Sequence, residues 1–151
     1  MVEIMQVPDP VSAIFKQKSE RIWSIVPTAA VYEALSVMAD NEIGCLLVMD
    51  GGNLVGLVSE RDYARKVILR GRSSKETRVD EIMTSPPLTV GPGCSVDEAM
   101  RTMTEHRVRH LPVIDSKGTV LGIVSIGDLV KWIITTHEQT IEQLQSYIAG
   151  N

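Results

Sequence analysis

The chain has 151 residues, 44% of them hydrophobic, which is enough to bury one substantial core, as a single domain or as two tightly joined halves. Aromatic residues make up only 4%, so aliphatic side chains must fill that core. A net charge of -4 and an isoelectric point near 5.4 argue against a nucleic-acid surface, which relies on dense Lys and Arg. No apolar run approaches the ~20 residues of a membrane-spanning helix.

The first ten residues carry acids and prolines and resemble neither a signal peptide nor an Arg-rich transit peptide. Cys45 falls in an apolar run and Cys94 in a loop, and their contexts allow no pairing to be deduced. A cytoplasmic, reducing compartment is therefore expected.

Pro8-Asp9-Pro10 reads as a turn, with Asp9 capping a short helix over Val11 to Gln17 whose apolar side is Ile14 and Phe15. Arg21 to Val26 reads as a short strand closed by Pro27-Thr28. From Ala30 the period turns helical, with Val31, Ala34, Leu35 and Met38 on one face, and the helix stops near Asn41. Cys45 to Met49 is an apolar strand, Asp50 to Asn53 a hairpin turn, and Leu54 to Val58 the return strand. Ser59 then opens a helix expected to bury Tyr63, Ala64, Val67 and Ile68. Arg70 to Asp80 is polar and reads as a connection, ending in a helical turn over Val79 to Thr84 and an extended Ser85-Pro86-Pro87.

The same order then returns. Thr89-Val90 is a short strand, and Val96, Ala99, Met100 and Met103 repeat the spacing of Val31, Ala34, Leu35 and Met38. His110 to Asp115 matches Cys45 to Asp50, and the hairpin is one residue longer, which is where structural repeats tolerate an insertion. The last helix runs from Ser125 to about Ala149 and outlasts the repeat, with an apolar stripe suited to packing on the module or on a second subunit. The chain thus divides into an N-terminal helical extension (1–20), a first repeat (21–70), a linker (71–86), a second repeat (87–132) and a C-terminal helical extension (133–151).

Each repeat ends in Gly-x-Val-Ser-x-x-Asp, once at Gly56 to Asp62 and once at Gly122 to Asp128. A strand-to-helix turn with Ser at the N-cap and Asp three residues on gathers a hydroxyl, free backbone N–H groups and a carboxylate. Such a turn can hold a phosphate and a sugar diol together. The same residues also make an ordinary helix cap, with the Asp complementing the helix dipole.

The paired motif, with Ile82-Met83-Thr84 before the second copy and His110-Leu111-Pro112-Val113-Ile114-Asp115 within it, resembles the CBS-domain family, named for cystathionine β-synthase, from about Arg21 to Trp132. The arrangement is similar to the small two-repeat proteins of that family that carry no enzyme or transporter domain. The resemblance implies an α/β (α+β) fold of tandem β-α-β-β-α repeats packed with pseudo-two-fold symmetry as a Bateman module. It also implies association of two such pairs as a disc-like homodimer. Further, it implies up to two clefts that bind adenosine-containing ligands: AMP, ADP, ATP or NAD, with S-adenosylmethionine less expected.

On that resemblance one cleft combines Ser125 and Asp128 with Ile43, Gly44, Cys45 and Leu47, and the other combines Ser59 and Asp62 with Val108, Arg109, His110 and Pro112. Thr28 and Thr84 are neighbours. The Asp accepts from the ribose hydroxyls in charge-assisted bonds worth ~1.5–3 kcal/mol each when shielded from water. Arg61 and Arg109 stand where the family places cations near the Asp128 cleft, which makes that cleft the phosphate candidate. Surface salt bridging, worth ~0–1 kcal/mol per pair, is the plainer role for both arginines.

His106 and His110 are four apart but lead into a strand, and no further ligand joins them as a zinc site requires. Neither Ser59 nor Ser125 has the motif of an activated nucleophile. The expected function is a regulatory sensor without enzymatic activity that changes conformation with bound nucleotide and acts on an unidentified protein. The alternative is a ligand-independent dimerisation or interaction module that uses the C-terminal helix.

Overall fold

A computed structural model of the protein describes residues 7–17 and 22–148. The chain divides into two compact units, 21–89 and 90–151 with 1–20. Their elements in chain order are α1 (Ser12–Gln17), β1 (Ser24–Ile25), α2 (Val31–Asp40), β2 (Cys45–Asp50), β3 (Asn53–Ser59), α3 (Glu60–Lys66), α4 (Val96–His106), β4 (His110–Ile114), β5 (Val120–Ser125) and α5 (Ile126–Ile148), with 3-10 turns at Ile68–Arg70 and Val79–Glu81.

In the first unit, β1 pairs parallel with β2 and β2 antiparallel with β3. The α2 face predicted by the helical period is buried at Val31, Ala34 and Met38. These side chains form a core with Leu46, Val48, Val58, Val67, Val79 and Ile82. The β2–β3 hairpin closes on Gly51 and Gly52, whose φ values of 56° and 87° require a residue without Cβ strain.

In the second unit, β4 and β5 pair antiparallel, and Val96, Ala99, Met103, Leu111, Val113, Val124 and Leu129 are buried. The two hairpins share a register shift at matched places, Val48/Met49 and Val113/Ile114. Both helix-to-strand turns pass through a left-handed residue, Glu42 (φ 53°) and Arg107 (φ 55°). In each, the next N–H returns to a buried methionine: Ile43 to Met38 O and Val108 to Met103 O, both at 3.0 Å. One fold unit is therefore written twice.

The structure corrects several sequence expectations. The first strand is only Ser24–Ile25, Arg21 lies outside the described residues, and the Thr89-Val90 strand shrinks to a single bridge from Val90 to Val113. Helix α1 begins at Ser12, and the Asp9 carboxylate accepts from Trp132 Nε1 at 2.8 Å. Helix α3 stops at Lys66, and of its expected inner face Val67 is buried while Ala64, within the helix, and Ile68, beyond it, are exposed, Ile68 by 55%.

The polar connection is more than a linker. Thr77 and Val79 are buried, and the chain there is sealed to the start of α2 by Val31 N–H to Thr77 O (2.8 Å) and Val79 N–H to Ala29 O (2.8 Å). Helix α2 has Ala30 at its N-cap and no side-chain cap bond, so the Thr77 carbonyl satisfies a first-turn donor that would otherwise be orphaned. Residues 7–15 do the same for the second unit, through Val96 N–H to Asp9 O and Val11 N–H to Cys94 O, both 2.8 Å. The two straps match side chain by side chain: Val11, Ile14 and Phe15 against Val79, Ile82 and Met83.

Candidate functional site

The two Ser-x-x-Asp turns are the candidate site, and each is built by its own hairpin. In the first unit, Ser59 closes β3 with extended backbone (φ -129°, ψ 164°) and caps α3, its Oγ accepting from Asp62 N–H at 3.1 Å. Asp62 Oδ2 accepts in return from the Ser59 N–H and hydroxyl, both at 3.0 Å. Lys66 Nζ lies 3.2 Å from Asp62 Oδ1 and donates to Ile82 O at 2.8 Å. The second unit repeats the box: Ser125 Oγ accepts from Asp128 N–H at 3.1 Å, and Asp128 Oδ2 from Ser125 N–H at 2.8 Å.

The segment leading into each central strand lies beside the turn of its own unit. Gly44 O accepts from Glu60 N–H at 3.1 Å, and Arg109 O from Ile126 N–H at 2.9 Å. Cys45 is paired with Ser59 across the sheet, and His110 with Ser125. Ser59, Asp62, Ser125, Asp128, Ile43, Gly44, Val108 and His110 are half-buried, Cys45, Leu47 and Pro112 are buried, and Arg61 and Arg109 are exposed. Thr84 is exposed and extends the edge of β3 at Leu57 through two backbone bonds of 2.8 and 3.1 Å, whereas Thr28 is exposed in the turn after β1.

The chemistry of these turns is acceptor chemistry. Burial, reinforced by the Asp62 carboxylate, pushes the Cys45 thiol up to about 12, so it carries its proton at neutral pH and is no nucleophile. Cys94 is also shifted up, by burial first and by Glu98 second. Among the described residues, no group of three or more His, Cys, Asp or Glu is placed to hold a metal ion. No described helix is long and apolar enough to cross a membrane. Sequence reasoning missed Lys66 and Trp132, although Lys66 follows Asp62 at the i+4 spacing that marks a helical ion pair.

Comparison with known proteins gives the same two-fold reading. A mitochondrial CBS domain-containing protein of Arabidopsis thaliana is 44% identical over 125 residues, which is 80% of this chain and 60% of that protein's length. The chain thus spans less than two thirds of that relative. A solved structure of a protein with CBS domains from Burkholderia ambifaria MC40-6 is 51% identical, covers 84% of this chain and 95% of its own, and superposes with a TM-score of 0.81. A CBS domain protein of Pyrobaculum aerophilum, solved in complex with AMP, shares the fold at 24% identity and TM-score 0.72, over 84% of this chain and 99% of its own. The family model described as the CBS domain matches residues 11–69 and again 79–135, its two copies starting at the strap valines Val11 and Val79, and the chain belongs to the CBS-domain family.

Proposed function

We propose that the protein is a regulatory module that binds an adenine nucleotide (AMP, ADP, ATP or NAD) and whose conformation or partner affinity changes with occupancy. The observation that carries this reading is the twice-built turn in which a half-buried carboxylate is fixed by its own N-cap. A carboxylate offers about four lone-pair sites, so a capping bond leaves acceptor capacity for a ribose diol. In this reading Ser125 and Asp128 take the ribose and the exposed Arg109 the phosphate. The family likeness adds Arg61, Ile43, Gly44, Cys45 and Leu47 to the same proposal, and Ser59, Asp62, Val108, His110 and Pro112 to a second site. The Pyrobaculum protein's complex with AMP supports the ligand class.

Calorimetric titration of the full chain with AMP, ATP, NAD and S-adenosylmethionine tests it. At least one adenine nucleotide should bind, and Asp128→Ala should weaken the tighter step by at least ~tenfold, or about 1.4 kcal/mol. Heat from none of the four at millimolar concentration would sink the proposal.

A second reading, self-association through α5, is favoured by its exposed side. Ile134, Ile141 and Ile148 recur every seven residues at 52%, 53% and 82% exposure, and every described side chain from Glu138 onward is exposed. A seven-residue isoleucine repeat places one exposed apolar side chain per heptad on a single face, a position at which one helix can meet another.

A further inference from the structure

Two exposed surfaces of the chain combine aliphatic side chains with opposite charge. The first is the corner that follows α3. From Glu60 to Arg72 five Lys or Arg stand against two acids, in a chain whose net charge is -4. Lys66 is paired with Asp62 and Arg72 with Glu81, whereas Arg65 and Arg70 are exposed and take part in no ion pair among the described residues. Between them Ile68 and Leu69 are 55% and 76% exposed. The second surface is the far half of α5. Beyond Lys131 this helix carries no Lys or Arg, and its exposed Ile134, Ile141 and Ile148 are accompanied by exposed Glu138 and Glu142.

Covering exposed aliphatic area is favourable whatever covers it, and charge decides which cover is accepted. Corner against corner sets Arg65 and Arg70 of one copy against the same arginines of another, and α5 against α5 does the same with Glu138 and Glu142. Corner against α5 sets arginine against glutamate, with isoleucine and leucine between them. Resting on the reading that the chain self-associates through α5, we propose that α5 of one copy docks on the Ile68-Leu69 corner of a second copy, so that unlike surfaces meet. An apolar centre within a charged rim is the usual make-up of such a contact, and like charges brought together are what excludes the wrong pairing. A second copy carries both surfaces, so the complement of each is present wherever the chain is.

Sedimentation equilibrium of the full chain tests this, with Arg61 left unchanged because it belongs to the proposed ligand site. Arg65→Glu with Arg70→Glu should weaken self-association by at least ~tenfold, and so should Glu138→Lys with Glu142→Lys. All four substitutions in one chain should bring the dissociation constant back to within about threefold of the wild type, which a misfolded variant cannot do. If like surfaces met instead, each paired variant would exchange one like-charge set for another and associate as the wild type does. An unchanged dissociation constant in either paired variant would therefore overturn this pairing while leaving self-association standing. A four-fold variant that unfolds cooperatively on heating yet does not recover would overturn it as well. A wild type that is monomeric at every concentration would overturn self-association itself, and this inference with it. No nucleotide is present in the experiment, so none of these outcomes bears on ligand binding.

Discussion

Gly56 offers the sharpest test of how the first unit is closed. A Cβ at this position would lie 2.8 Å from Met83 Sδ and 2.9 Å from Thr84 O. The methionine can swing aside, but the carbonyl cannot, because Leu57 and Thr84 hold each other through reciprocal backbone bonds of 3.1 and 2.8 Å. Gly56→Ala must therefore push the strap off the sheet edge, an overpacking cost of ~1–3 kcal/mol, partly offset by ~0.4–1 kcal/mol from the stiffer unfolded chain. The net loss of ~1–2 kcal/mol lowers the thermal midpoint by ~2–4 °C per kcal/mol in a chain of this size. Gly122→Ala meets only the ring of Phe15, at 2.8 to 3.3 Å, with no backbone among the three nearest atoms, and should cost less. Calorimetric unfolding of both variants, and of each with its strap partner trimmed, forms the cycle. Phe15→Leu should recover most of the loss in Gly122→Ala, and Met83→Ala only part of it in Gly56→Ala. A neutral Gly56→Ala, or one fully rescued by Met83→Ala, would refute the claim that the backbone of residue 84 sets the cost.

The buried thiol gives a pH dependence with a fixed sign. Cys45 loses its proton near 9.0 when unfolded and near 12 when folded, so above pH 9 the unfolded state binds fewer protons and stability falls, by up to ~1.4 kcal/mol per pH unit, until about pH 12. Cys45→Ala should remove that component, so the stability gap between wild type and variant in urea titrations should narrow from about pH 8 to about pH 10.5; a constant gap would contradict it. For α5, Ile134→Glu with Ile141→Glu should lower the mass measured by light scattering while leaving the AMP titration unchanged. An unaltered mass would remove the self-association reading.

Long-period features were legible in the sequence. The apolar spacing gave α2 and α4, the Asp-Gly-Gly-Asn turn gave the first hairpin, and the repeated Ser and Asp gave both caps. What escaped was held by non-local backbone bonds. The straps share Val-x-x-Ile, yet Val11 lies in an exposed-looking N-terminal stretch and Val79 at the end of a polar run, and single-window periodicity gives neither a reason to be 0% exposed. Only the bonds to Cys94, Asp9, Ala29 and Thr77 explain their burial. The exposure of Ile68 has a related reason: the helix after Ser59 ends at Lys66, after which a 3-10 turn carries Ile68 and Leu69 outward.

The capping bonds of Ser-x-x-Asp and the proposed binding role are physically compatible. A free aspartate samples several rotamers and must be ordered when a diol arrives, at a cost of ~0.5–1.5 kcal/mol for an immobilised side chain. The bonds from Ser59 and Ser125 settle that rotamer in the folded chain, before any ligand. On the proposed function, capping thus orders the carboxylate before a diol arrives. In the first unit the turn is also a structural tie, because Lys66 bonds both Asp62 and the Ile82 carbonyl and so links α3 to the strap.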